Sequence, residues 1–442
     1  MTISPQRRLE IIDALRRGTV PSQGLDALAV GLDRFQAALD EDLDRMAAGG
    51  AVFKAIRGEY GAGKTFVTRW LAERAKDRGL AAAEVQISEA DTPPHRYQTI
   101  YRRLVEHLST ASVRSGAFRS VVDSWFFTLE EDVLAGGGVD EANTEELTRR
   151  TGELMERRLG GITRTAPAFS AVLRAYLAAT SAGDRALADG LLAWLGGQPH
   201  IAASVKRAAG VKGDVDHDAA LSFLTGLLVV LRDAGFGGLL VVLDEVETMQ
   251  RMRSDTRDKG LEALRKLIDD IYEGRFPGLG LVITGTPAFF DGNQGVQRLP
   301  PLAQRLATDF GTAARFDNPR AVQIRLPGFT MDSLVEVGRR VRDLYAAGSA
   351  APERVAAMVD DQYLADLAAA VTGSLGAKVG IAPRLYIKKL VGDVLDRVDL
   401  HADFDPRRDY KLTVADNELT DVERNARAGA SNPDDIELDL TP

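Results

Sequence analysis

Eight consecutive residues constrain this chain more than any others: Gly58-Glu-Tyr-Gly-Ala-Gly63-Lys64-Thr65, a fit to G-x-x-x-x-G-K-[ST]. The residues just before, AVFKAI (Ala51–Ile56), are short, apolar and rich in β-branched and aromatic side chains, as in a buried strand. The residues just after, FVTRWLAERAKDRG, set Phe66, Trp70 and Leu71 at helical spacing and stop at Gly79. Strand, glycine-rich turn and helix in that order make a phosphate cradle. Glycines let successive backbone N–H groups turn inward, and the helix N-terminus adds a favourable dipole. Gly58, Glu59, Tyr60, Gly61, Ala62, Gly63, Lys64, Thr65 and Phe66 are therefore expected to hold a nucleotide. In this reading Lys64 reaches the β- and γ-phosphates and Thr65 offers its hydroxyl to Mg2+, so ATP and Mg2+ are the expected ligands.

Such a loop needs a second half, and Gly235–Met249 (GFGGLLVVLDEVETM) supplies it. The unbroken apolar run LLVVL suits a central parallel strand covered on both faces, and it ends in Asp244-Glu245. Asp244 is expected to support the Mg2+ shell beside Thr65, and Glu245 to orient and deprotonate the attacking water. Another apolar run, GLGLVITGTP (Gly278–Pro287), ends in Thr284 and Thr286; a simple Thr-Gly-Thr-Pro turn is the alternative to a role at the phosphates.

The rest of the chain divides around these strands. Residues 1–50 read as N-terminal helices and a connecting segment, with Leu32, Phe35, Leu39 and Leu43 on one helical face. AAAEVQIS (Ala81–Ser88) reads as a further strand and IRLPGFT (Ile324–Thr330) as the last, which closes a core over 51–330. Between about 110 and 236 only helical stretches occur, broken at LAGGGVD, RRLGGIT and LGGQPH; this is the pattern of a helical insertion. Its Arg149, Arg150, Arg157, Arg158, Arg164, Lys206, Arg207 and Lys212 make either a nucleic-acid face or ordinary solvated helix faces. Residues 331–401 read as a helical lid, with a helix starting at Pro383. From His401 to Pro442 eleven Asp or Glu face five Lys or Arg, so residues 402–442 read as an acidic, partly mobile tail. That tail carries most of the formal charge of −9, so global charge neither argues for nucleic acid nor excludes it. With no cysteine and five scattered His, disulfides, thiolate sites and zinc are not expected. The N-terminus lacks a secretory apolar region and no run is long enough to span a bilayer, so a cytoplasmic protein without membrane contact is expected.

GTVP near the start, RGEYGAGKTF, LDEVE, ITGTPAFFD followed by G-V-x-x-L-P-P-L-x-x-R-L, and APRLYIKKLV together resemble the BREX-associated ATP-binding proteins of bacterial phage-defence islands, most closely the compact BrxD-like type. That family in turn resembles the origin-recognition and helicase-loader branch of AAA+ proteins. The resemblance covers approximately residues 5–400 and implies an α/β fold: an AAA+ P-loop core, a parallel sheet flanked by helices, with the helical insertion and lid attached. It implies that Thr284 (or Thr286) is a polar sensor of the γ-phosphate, that Arg305 is an arginine finger for a neighbouring subunit, and that Arg384 is the lid sensor. Val20, Pro21, Val30 and Gly31 would lie beside adenine or serve core packing. It further implies ATP hydrolysis, self-assembly into a ring or spiral, DNA-binding on duplex DNA as a helicase loader or remodeller, and an Lhr-like superfamily 2 helicase as partner. A winged-helix domain is not expected after residue 400, so DNA contacts would come from the core, the insertion or the assembled oligomer. The alternative is an ATP-gated scaffold or sensor that recruits a helicase or other defence protein with little motor activity.

Overall fold

The computed structural model describes residues 3–140, 142–376, 380 and 382–428. The apolar runs become parallel strands: β1 (Val52–Arg57), β2 (Ala81–Gln86), β3 (Leu239–Asp244), β4 (Leu279–Gly285) and β5 (Gln323–Arg325). Their order across the sheet is β2-β3-β4-β1-β5, with every neighbouring pair parallel. All strands therefore end on the same edge. Register sets Ile56 beside Thr284 and Gln86 beside Asp244, so the phosphate loop and the polar strand ends meet there.

β1, β3 and β4 are buried along their whole length because helices cover both faces of the sheet. Alternation of side chains then sorts them into two cores. Phe53, Val241, Leu243 and Ile283 face one core, closed by the helices Tyr97–Glu106, His217–Asp233 and Ser254–Tyr272. Val52, Ile56, Val242 and Val282 face the other, closed by Asp33–Ala47 and Lys64–Asp77. The last strand is shorter than IRLPGFT suggests. Pro327 has no N–H to give a ladder, and Leu326–Thr330 instead lead from the sheet to the lid along the cavity described below.

The insertion is helical, with Phe118–Ala135, Thr144–Arg158, Pro167–Ser181 and Arg185–Leu195 as its longer members. It is not a separate body. Trp125, Phe169 and Trp194 belong to the same buried cluster as β3 and β4, and the Trp125 indole donates to Asp233 at 2.7 Å. Several of its cations are neutralised locally: Arg149 and Arg150 by Glu146 at 2.7 and 2.8 Å, Arg158 by Asp132 at 2.7 Å, and Lys206 by Asp214 at 2.6 Å. Among the described residues Arg157, Arg164, Arg207 and Lys212 have no acidic partner.

The lid comprises Met331–Ala346, Pro352–Met358, Asp361–Ser374 and Pro383–Lys389, the last running through a π-helical turn into Asp396–Leu400. The N-terminal segment divides between the two bodies. Helix Pro5–Arg16 joins the lid core through Ile11, Ile12 and Leu15, whereas Asp33–Ala47 belongs to the sheet. Arg16 fixes the first helix to the lid by a bidentate pair with Asp396 at 2.7 and 2.9 Å. The first part of the expected mobile tail packs on the lid: Phe404, Tyr410, Leu412 and Val414 lie against its core, and Leu419 is buried in it. Residues 429–442, the rest of that tail, lie outside the described residues.

Candidate active site

Between sheet and lid lies a cavity of about 500 Å³ whose wall includes every residue from Glu59 to Val67. The loop turns on Gly61 and Gly63, with φ of 80° and 87°, a region open to glycine without the Cβ clash other residues meet. Lys64 opens the helix that follows and is 8% exposed. Its ammonium donates to the Gly58 carbonyl at 2.9 Å and lies 3.5 Å from a Glu247 carboxylate oxygen, with the Tyr60 ring centroid 5.0 Å away.

A short polar relay links the first turn of the helix Lys64–Asp77 to the ends of β2, β3 and β4. Thr65 Oγ1 donates to Asp244 Oδ2 at 3.1 Å. Thr284 Oγ1 donates to Asp244 Oδ1 and accepts the Glu245 N–H at 3.0 Å. Glu245 is left-handed (φ 60°, ψ 42°), a conformation that costs a side-chain-bearing residue free energy. Its Oε2 accepts from Gln86 Nε2 at 2.8 Å. Of the two threonine candidates, Thr284 is fully buried in the relay, whereas Thr286 caps the helix Pro287–Asp291 by accepting the Phe289 N–H at 3.4 Å. Substitution separates the two roles. The reading of Asp244 as a metal-side carboxylate expects Thr284→Ala to lower ATP turnover about 10- to 100-fold, the usual cost of losing a partner that orients such a group. Thr286→Ala is expected to cost about 1 kcal/mol of stability with kcat unchanged, read by thermal melting beside steady-state ATPase rates.

The Thr65 hydroxyl and the Asp244 carboxylate are hard oxygen donors placed together, a donor set that fits Mg2+. Among the described residues no group of three His, Asp or Glu could hold a metal ion, so remaining ligands would come from phosphate and water. Val20, Pro21, Val30 and Gly31 line the same cavity, as do Phe66 and Phe329. Arg384 also lines it, but its guanidinium pairs with Glu423. Arg305 is not brought to this cavity; it pairs with Asp269 on the helix Ser254–Tyr272, with Nη2 at 3.0 Å.

Two side chains at the site, Glu247 and Gln86, are not among the residues the sequence singles out. Glu247 is 5% exposed and neither carboxylate oxygen has a hydrogen-bond partner; burial pushes its pKa up, against the pull of the Lys64 ammonium. The signal was the last acid of LDEVE, three residues past Asp244, which a short 3₁₀ turn brings within 3.5 Å of the Lys64 ammonium. Gln86 ends β2, and only the strand order reveals that it adjoins Asp244 and Glu245.

Parallel strand order, phosphate loop, Asp-Glu strand end and helical lid define a P-loop ATP-binding protein of the AAA+ type. The chain belongs to the BREX system ATP-binding protein BrxC/D family, whose model matches residues 3–414. Among solved structures it is similar to the Aeropyrum pernix ORC2 protein in ADPNP–ADP complexes, at 12% identity and a TM-score of 0.33, over 81% of this chain and 67% of that one. It is also similar to the Aeropyrum pernix ORC1 protein in complex with DNA, at 12% identity and a TM-score of 0.31, over 83% and 66%. No curated protein matches. Among the described residues no helix is long and apolar enough to cross a membrane.

Proposed function

We propose that this chain is a Mg2+-dependent ATPase of a phage-defence system that acts on duplex DNA as a helicase loader or remodeller. The observation that carries the hydrolytic reading is the relay Thr65–Asp244–Thr284–Glu245, which ties the metal-side hydroxyl to the carboxylate that handles water. Mg2+ held by Thr65 and Asp244 would supply neutralisation of the triphosphate's charge. The loop N–H groups and Lys64 orient the triphosphate, while Asp244 keeps the Thr65 hydroxyl aimed. Glu245 takes a proton from the attacking water once its carboxylate leaves the Gln86 amide. In an assembled ring or spiral, Arg305 exchanges Asp269 for a neighbour's γ-phosphate. The DNA role, with an Lhr-like helicase as the client, is what the resemblance to the BREX-associated ATP-binding proteins implies.

A second reading, an ATP-gated scaffold that turns over slowly, is favoured by one observation. Glu245, Arg305 and Arg384 each have an internal partner: Gln86, Asp269 and Glu423. Duplex DNA separates the two. The loader reading expects a several-fold rise in steady-state hydrolysis with duplex DNA, weakening as salt rises because phosphate contacts release counterions. A low rate unmoved by any nucleic acid favours the scaffold.

A further inference from the structure

Arg384 stands in the wall of the nucleotide cavity, yet its donors are turned toward the C-terminal segment rather than the phosphate loop. Nε donates to Glu423 Oε1 at 3.0 Å; Nη2 donates to the other oxygen of that carboxylate and to the Glu418 carbonyl at 2.6 Å. This is the two-pronged arrangement by which a guanidinium takes either a carboxylate or a phosphate, and one edge cannot serve both at once.

The segment that supplies Glu423 is built in, not loosely laid on. Glu423 is 2% exposed and also accepts the Thr420 N–H at 2.8 Å, capping the helix Asp421–Arg427. Glu418 takes Lys389 at 2.9 Å and Lys388 at 3.4 Å. Leu419 is buried in the lid core, and the Ala426 carbonyl comes so near Gly376 that a Cβ there would lie 2.6 Å from it.

We propose that residues 416–427 are a strap that competes with the γ-phosphate of bound ATP for Arg384. The inference rests on the reading of the cavity as an ATP site and of Arg384 as its lid sensor. With the strap seated, the lid arginine is withheld and ATP and ADP bind alike. With it released, Arg384 turns to the phosphates and the lid favours ATP. Glu423 is too buried to stay in place without its cation, so the exchange has two states: strap on with Arg384 paired, or strap off with Arg384 free. Release also takes Glu418 from Lys388, while Lys389 keeps Asp393 at 3.1 Å.

The test uses the full-length chain as wild type, Glu423→Gln, Arg384→Ala and the double variant. Titration calorimetry measures affinity for ADP and for a non-hydrolysable ATP analogue. Trypsin cleavage at Arg424 and Arg427 of the wild type, with and without the analogue, follows the strap itself without any substitution. The expected result is similar affinity of wild type for the two nucleotides, about tenfold tighter analogue binding over ADP in Glu423→Gln, and loss of that gain in the double variant. Analogue should also speed cleavage of the wild type at Arg424 and Arg427. An unchanged preference in Glu423→Gln, with cleavage unmoved by analogue, overturns the strap while leaving the ATP site standing. A wild type that binds neither nucleotide overturns the ATP-site reading and the strap with it.

Discussion

Lys64→Ala is expected to weaken ATP–Mg2+ binding about 100-fold, the loss of a charge-assisted hydrogen bond of up to roughly 3 kcal/mol. The ammonium is already inside the cradle, held by the Gly58 carbonyl at 2.9 Å, so little ordering remains to be done when phosphate arrives. Calorimetric titration checks this, with the circular dichroism spectrum as control for folding. Removing the lysine also leaves Glu247 buried without a cation. Its pKa, raised by burial even with Lys64 present, then rises further. A carboxyl with a raised folded pKa binds protons that the unfolded chain has released, so its contribution to stability falls as pH rises from about 4.5, its ordinary value, toward the folded pKa. The melting temperature of Lys64→Ala is therefore expected to drop relative to wild type as pH rises through that window. Equal affinity in the two proteins would mean that the glycine-rich loop is not the phosphate site.

Glu245→Gln is expected to lower turnover by about 10²- to 10⁴-fold, the range a positioned general base supplies, with nucleotide affinity nearly unchanged. The amide is isosteric with the carboxylate and can keep a hydrogen bond to Gln86, and the Glu245 N–H to Thr284 is a backbone contact that the substitution leaves intact. What is lost is proton acceptance. Steady-state rates beside equilibrium binding separate this outcome from Lys64→Ala, in which binding fails first. A Glu245→Gln chain that hydrolyses ATP at the wild-type rate would remove Glu245 from the reaction.

The sheet was legible because parallel strands buried on both faces leave unbroken apolar runs, as in LLVVL and LGLVI, and the phosphate loop anchors their order. β2 and β5 were harder to bound, since Ala-rich AAAEVQ and three-residue Gln323–Arg325 lie at the sheet edges, where a run need not be fully apolar. Lys64, Thr65 and Asp244 could be placed because local chemistry fixes each to a loop or strand end. Gln86 and Glu247 could not, because their roles depend on which strand lies beside which and on how a turn folds back. The pairing of Arg384 with Glu423 spans 39 residues and joins a lid helix to a stretch whose acidity reads as solvated tail. Composition gave no sign that Leu419 and Ala426 would bury and dock it. Positive charge in the insertion was equally ambiguous in sequence, and Glu146, Asp132 and Asp214 account for part of it as local ion pairs with Arg149, Arg158 and Lys206.

The central claim is that this loop and the Asp-Glu strand end hold ATP and cleave it. Single-turnover hydrolysis of γ-labelled ATP preloaded onto wild type and onto Glu245→Gln, started with Mg2+, tests it most directly. The account expects the wild type to convert the bound nucleotide to ADP and labelled phosphate while the variant retains intact ATP. Equal conversion by both proteins, or none by either with ATP still bound, would contradict it.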